Sequence, residues 1–154
     1  MSRTRLLGVD FGSVRVGLAV SDPDRRFAFP LQTRTREGRE RDAAFFRALV
    51  EREEVGGFVV GLPVHNDGSE SAKSVEARRY GTWLAEVTGL PVTYHDERFT
   101  TVLAESALWD AGLTHKRRKE RRDKVAAQML LQAYLDGGCP RDSAPGALDG
   151  KDRP

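Results

Sequence analysis

Three carboxylates from distant parts of the chain, Asp10, Glu97 and Asp123, have the types and positions to do chemistry together. Asp10 closes the apolar run Leu6-Leu7-Gly8-Val9, which reads as a buried strand delivering an acid at its C-terminal end. A carboxylate there is costly to desolvate unless it is paired or binds a metal. Glu97 stands in His95-Asp96-Glu97-Arg98, directly after another apolar run. Successive residues alternate in direction, so only one of Asp96 and Glu97 is expected to face a shared site. Asp123 is expected to open a helix, on one face with Ala126, Leu130 and Ala133, the face that must pack on the sheet. Each acid alone is as well explained by a turn, a solvated loop or a helix N-terminus. Together they form a set that one sheet edge can collect. Oxygen donors of this kind suit Mg2+ or Mn2+, and two such ions ~4 Å apart can activate a water and stabilise the leaving oxygen in an in-line phosphodiester cleavage. The expectation is therefore two Mg2+ or Mn2+ ions held by Asp10, Glu97 and Asp123, the same three residues being catalytic.

A phosphodiester substrate also needs cationic ground. The net charge is only +2, but Thr114 to Lys124 (THKRRKERRDK) carries seven Lys or Arg against Glu120 and Asp123, a local surplus of five. A basic stripe on an otherwise slightly acidic body is the footprint of a polyanion-binding protein. Arg15, Arg98, Lys116, Arg117, Arg118, Lys119, Arg121 and Arg122 are the expected nucleic-acid contacts. The sequence offers no Ser, Cys or His nucleophile with its base. A single cysteine, Cys139, excludes an internal disulfide and a cysteine-based zinc cluster. No apolar run approaches the ~20 residues of a membrane span, and the N-terminal run is too short for a secretory leader. A cytoplasmic protein with no membrane partner, monomer or homodimer, is expected.

The elements that must position these residues follow from the change of hydrophobic period along the chain. Leu6–Val9, Val16–Val20 and Arg26–Thr33, separated by turn residues, read as an antiparallel meander. Phe45 with Leu49 and Phe46 with Val50 mark a helix over Arg39–Glu54, stopped by Gly56-Gly57. A strand follows at Phe58–Leu62, then a loop over Val64–Gly68. A helix over Ser69–Thr88 is expected to turn Ala72, Ala77, Tyr80, Leu84 and Val87 to the core. The last strand spans Pro91–Tyr94, and further helices are expected at Thr101–Ala111 and Asp123–Leu135. From Cys139 to the end no periodicity remains and disorder is expected, leaving one domain over residues 1–138. Helical crossovers imply parallel pairing of the later strands and helices covering the sheet. The expected fold is α/β: an RNase H-like mixed five-stranded sheet with helices on both faces.

The segments VDFGSVRVGLAVSD (Val9–Asp22), VVGLPVHNDGSES (Val59–Ser71), HDERFTT (His95–Thr101) and DKVAAQMLLQAYL (Asp123–Leu135) resemble, in order and spacing, those of the YqgF (RuvX) family, a relative of the RuvC Holliday-junction resolvases. The resemblance implies a nuclease with Asp10, Glu97 and Asp123 in the metal-binding roles, acting in 5′-end maturation of precursor 16S rRNA. It departs in one respect. RuvC-type enzymes carry a glutamate at a strand end that would fall near Gly61 to Val64, where this chain has no acid; Asp67 is the nearest. His65 and Asp67 are candidates to assist catalysis, although a loop histidine without a partner is more often incidental.

Three other readings compete. A Holliday-junction resolvase acting on branched DNA would need paired cuts and hence a dimer. An actin-like ATPase module would use the Asp-x-Gly hairpin around Asp10, but needs a second lobe. A non-catalytic RNA- or ribosome-binding factor would use the basic stripe alone.

Overall fold

The computed structural model describes residues 4–63, 67, 69–97 and 115–140, with the backbone alone at 115, 116 and 118–120. Alternation in the apolar runs decides which side of each strand is which. β1 (Arg5–Asp10) pairs antiparallel with β2 (Arg15–Ser21), which pairs antiparallel with β3 (Ala28–Thr35), so the meander forms as expected. β4 (Val55–Leu62) lies parallel to β1, and β5 (Val92–Asp96) parallel to β4, giving the order β3-β2-β1-β4-β5. The crossover helices are α1 (Arg39–Glu53) and α2 (Ala72–Thr88), and α3 (His115–Asp136) follows the last strand. The parallel strands β1, β4 and β5 therefore end on one edge, at Asp10, Leu62 and Asp96.

Each face of the sheet is covered. Leu7 and Val9 of β1 join Val16, Leu18, Phe58 and Val60 in a core closed by Phe46 and Leu49 of α1 and by Ala77, Tyr80 and Leu84 of α2. Leu6, Ala19, Ala28 and Val59 face the other way and meet Ala127, Leu130, Leu131 and Tyr134 of α3. Ala77, Tyr80 and Leu84 of α2 are buried as expected, whereas Ala72 is exposed and Val87 only half-buried.

Two local expectations need correction. Gly56 and Gly57 do not stop α1; they lie inside β4. The helix ends at Glu54, in the left-handed conformation (φ +53°), whose N–H donates to the carbonyls of Glu51 and Val50. The register of β1 on β4 skips Gly56, and a Cβ there would stand 2.1 Å from Thr4 Oγ1, so glycine serves close strand approach. The second correction concerns Asp123. The basic segment does not precede the last helix but forms its first turns, from His115, so Asp123 lies well inside α3 and neither opens nor caps it. The buried face is also turned by one residue from the expected one: Ala127, Leu130, Leu131 and Tyr134 are buried, Ala126 and Ala133 half-buried. The helix expected at Thr101–Ala111 and the tail beyond residue 140 lie outside the described residues. Cys139 does not begin a detached segment: it packs on the α3 core, and its N–H donates to the Tyr134 carbonyl. No helix among the described residues is long and apolar enough to cross a membrane.

Candidate active site

The site is built around the side chain at the end of β1. Gly8 of β1 packs against Leu131, and Asp10, two residues on, emerges on that same α3 face. Its register partner on β2 is Gly17. On the other side, one step beyond the Val9–Val60 pair, stands Gly61 of β4. Asp10 is thus flanked across three central strands by residues without side chains, and both gaps are filled by other parts of the site. A Cβ on Gly17 would stand 2.0 Å from the Asp123 carbonyl oxygen, so α3 lays its backbone on the sheet at this point. A Cβ on Gly61 would stand 2.8 Å from Oε1 of Glu97 and 3.0 Å from its Cγ. Glu97, the residue after β5, folds back across the end of β4. The strand end where RuvC-type enzymes carry their glutamate is therefore supplied with a carboxylate from the neighbouring strand.

The two acids of the HDER segment are placed differently. Asp96 is fully buried, in register with Leu62, while Glu97 is half-buried and reaches Asp10. Desolvation first, then repulsion from Glu97, a hydrogen bond to Glu97 and repulsion from Asp123 push the Asp10 carboxyl up to about 8. Glu97 is also raised, chiefly by burial, although the hydrogen bond from Asp10 opposes the rise. Both carboxyls are thus held above their ordinary range, and the pair retains a proton between them. Lys73, near the start of α2, offsets part of the negative charge on both.

Asp123 stands beside this pair rather than in it. Its Oδ2 accepts from Nε of Arg15 at 2.9 Å, and both side chains are half-buried. Among the described residues no three His, Cys, Asp or Glu side chains converge tightly enough to hold a metal ion. The structure thus brings two of the three expected carboxylates into contact, leaves the third within electrostatic range of Asp10, and gives Arg15 a carboxylate partner. The donor set itself, two adjoining desolvated carboxylates that share one proton, fits a hard divalent cation, because a cation can replace that proton and relieve the repulsion.

Beyond Asp123, exposed Arg117 and Arg121, with Lys124, line a cavity of about 760 Å3 between α3 and β3, whose far wall includes Gln32 and Thr33. Arg122 is exposed on the same helix. Arg98, His65 and the side chains of Lys116, Arg118 and Lys119 lie outside the described residues. The Asp67 carboxylate accepts from the Ser69 N–H and hydroxyl at 2.9 and 2.6 Å, which accounts for it as a turn residue. Lys73, Gly17 and Gly61 are the participants that sequence reasoning missed. Lys73 follows the Val59–Ser71 segment by two residues, a local hint; the glycines reveal themselves only once strand register is known.

A mixed five-stranded sheet of this order, covered on both faces, places the chain in the RNase H-like fold class. The family model described as RuvX, Holliday junction resolvase, matches residues 4–137, and the chain belongs to that family. Similar proteins named "Putative pre-16S rRNA nuclease" include one from Rhodopirellula baltica, 47% identical over 132 residues (86% of this chain, 76% of the relative). Another, from Rhodobacter capsulatus, is 44% identical over 131 residues (85% and 82%). Among solved structures, T. thermophilus RuvC in complex with a Holliday junction substrate shares the fold, with TM-score 0.56 at 18% identity over 90% of this chain and 98% of that one.

Proposed function

We propose that this chain matures the 5′ end of precursor 16S rRNA in the cytoplasm, cutting a phosphodiester bond with Mg2+ or Mn2+ held by Asp10, Glu97 and Asp123. The observation that carries the reading is the Asp10–Glu97 pair, two desolvated carboxylates in hydrogen-bond contact at the edge of the sheet. A fold needs a reason to hold such a pair, since one carboxyl must stay protonated far above its ordinary range. A bound divalent cation supplies Lewis-acid charge for the attacking water and the departing oxygen. The chain's own residues do the rest. Glu97 and Asp10 orient the donors, and Lys73 balances charge at the pair. Asp123, paired with Arg15, would be the third residue to hold the cation, and Arg15 beside it would meet a substrate phosphate. Arg117, Arg121, Arg122 and Lys124 hold the phosphate backbone along α3, where they add affinity rather than sequence choice. The names carried by the similar bacterial proteins support precursor rRNA as substrate.

A second reading, resolution of branched DNA, is favoured by the description of the family. One assay separates the two: purified protein with Mg2+ or Mn2+, offered a precursor rRNA fragment, single-stranded RNA and a four-way DNA junction in parallel. The expected result is cleavage of the precursor fragment, abolished by chelator. Asp10→Asn, Glu97→Gln and Asp123→Asn should each reduce it at least about a thousandfold while leaving binding. Cleavage of the junction alone would assign the second reading, and undiminished cleavage in chelator would overturn the metal-dependent one.

A further inference from the structure

Across the β1–β2 turn from the carboxylates, a cavity of about 530 Å3 opens between α2 and the start of α1. Its wall is aromatic. Phe11, the residue after Asp10, packs on Tyr80 with ring centroids 5.0 Å apart, and Tyr80 packs on Trp83 at 5.2 Å. The Arg36 guanidinium lies 5.2 Å from the Phe11 ring and 5.4 Å from that of Tyr80. The same guanidinium donates to the Ser13 carbonyl at 3.0 Å, which ties this wall to the turn that carries Asp10.

The rim is cationic. Arg39 and Arg79 line the cavity, and neither has an ion-pair partner among the described residues. Of the two acids present, Asp42 is already engaged, accepting from Arg34 and from the Glu37 N–H at 3.1 Å each, which leaves Glu76. Gly38 starts α1 at φ +108° without a side-chain cap, so the first amides of the helix have no side-chain acceptor there. Tyr80 is only 7% exposed, and its hydroxyl, closed off from the cavity, has no hydrogen-bond partner among the described residues.

A stacking wall topped by guanidinium and a cationic rim ask for a flat π-system with an attached anion. We propose that this cavity is a nucleotide subsite that takes one unpaired base of the strand running on from the cleavage centre. The base stacks on the aromatic–arginine wall, and Arg39 and Arg79 hold its phosphate. The assignment rests on the nuclease reading and adds to it that the substrate is single-stranded on this side of the cut, because a base inside a duplex cannot reach the wall.

The test uses the full chain in chelator, with Trp109→Phe so that Trp83 is the only tryptophan. A short oligoadenylate is titrated against Trp83 emission, beside an abasic oligomer of the same length and a duplex. Oligoadenylate should quench Trp83, while the abasic oligomer and the duplex bind without quenching. Combined Arg39→Ala and Arg79→Ala should weaken the quenching titration on the order of tenfold. Equal quenching by the abasic oligomer, no quenching by any oligomer, or an unaltered titration in this variant would overturn the subsite. Cleavage of precursor rRNA by the parent protein with Mn2+ is scored separately. If it persists while the subsite fails, only this inference falls; quenching without cleavage of any substrate would leave the subsite and remove the nuclease reading.

Discussion

Between the sheet and the α1–α2 layer the filling is large: Leu7, Leu18, Phe46, Leu49, Phe58, Leu62 and Leu84 are all essentially inaccessible. Between the sheet and α3 the strands offer Leu6 and Val59 but otherwise Gly8, Gly17, Ala19, Ala28 and Gly61, met by Ala127, Leu130 and Leu131. Bulky side chains fill the space under the first pair of helices. Small residues let the backbone of α3 touch the sheet at Gly17 and let Glu97 lie over Gly61, which puts both within reach of Asp10. The candidate carboxylates lie on the face where most strand side chains are small. The two faces should therefore respond oppositely to a change of volume.

Removing volume should hurt most on the bulky face. Phe46→Ala is expected to cost about 3–5 kcal/mol by urea unfolding, while the molecules that stay folded bind Mn2+ as the parent does. Adding volume should hurt on the other face. Gly17→Ala places a methyl group against the Asp123 carbonyl, so α3 must move, at a cost of roughly 1–3 kcal/mol, and the folded fraction should cleave poorly. Parent-like stability and cleavage in Gly17→Ala would break the comparison.

A smaller effect is expected from pH. Because the Asp10 carboxyl is held up at about 8 in the folded protein, the native state binds more protons than the unfolded chain across the range from the ordinary aspartate value to about 8. The metal-free protein should then lose stability as pH rises through that window. Thermal melts of the parent minus those of Asp10→Asn isolate this effect: the difference should favour Asp10→Asn increasingly from about pH 5 to about pH 8.5, and Mn2+ should shrink it. A flat difference would show that the pair is not strained.

Smallest of all is the effect expected from the outer turns of α3. Neutralising Arg117, Arg118, Arg121 and Arg122 should weaken nucleic-acid binding across all sequences. It should also lower the slope of log K against log salt by about 0.7–0.9 for each phosphate the protein no longer neutralises. An unchanged slope would make this a solvated surface.

Much of this arrangement could be read from the sequence where period and chemistry coincide. The runs ending at Asp10 and Tyr94 alternate or stay apolar long enough to declare strands, and the Phe45–Leu49 and Phe46–Val50 pairs declare α1. The start of α3 was hidden because His115 to Arg122 contains no apolar residue to set a phase, although Lys, Arg and Glu are good helix formers. Gly56-Gly57 imitates a helix stop, and only the tertiary approach of Thr4 explains it. The contact of Glu97 with Asp10 depends on β5 being parallel to β4 and on Gly61 being bare. The pairing of Asp123 with Arg15 depends on where α3 crosses β2. Neither has a local signature.

The central claim is that the Asp10–Glu97 pair is a divalent-cation site. Mn2+ binding followed by electron paramagnetic resonance at neutral pH, in the parent, Asp10→Asn and Glu97→Gln, tests it without requiring a substrate. The account predicts saturable binding by the parent and a loss of affinity of at least about tenfold in each variant, with Asp10→Asn folded and no less thermally stable than the metal-free parent. Parent-like Mn2+ affinity in both variants would contradict it.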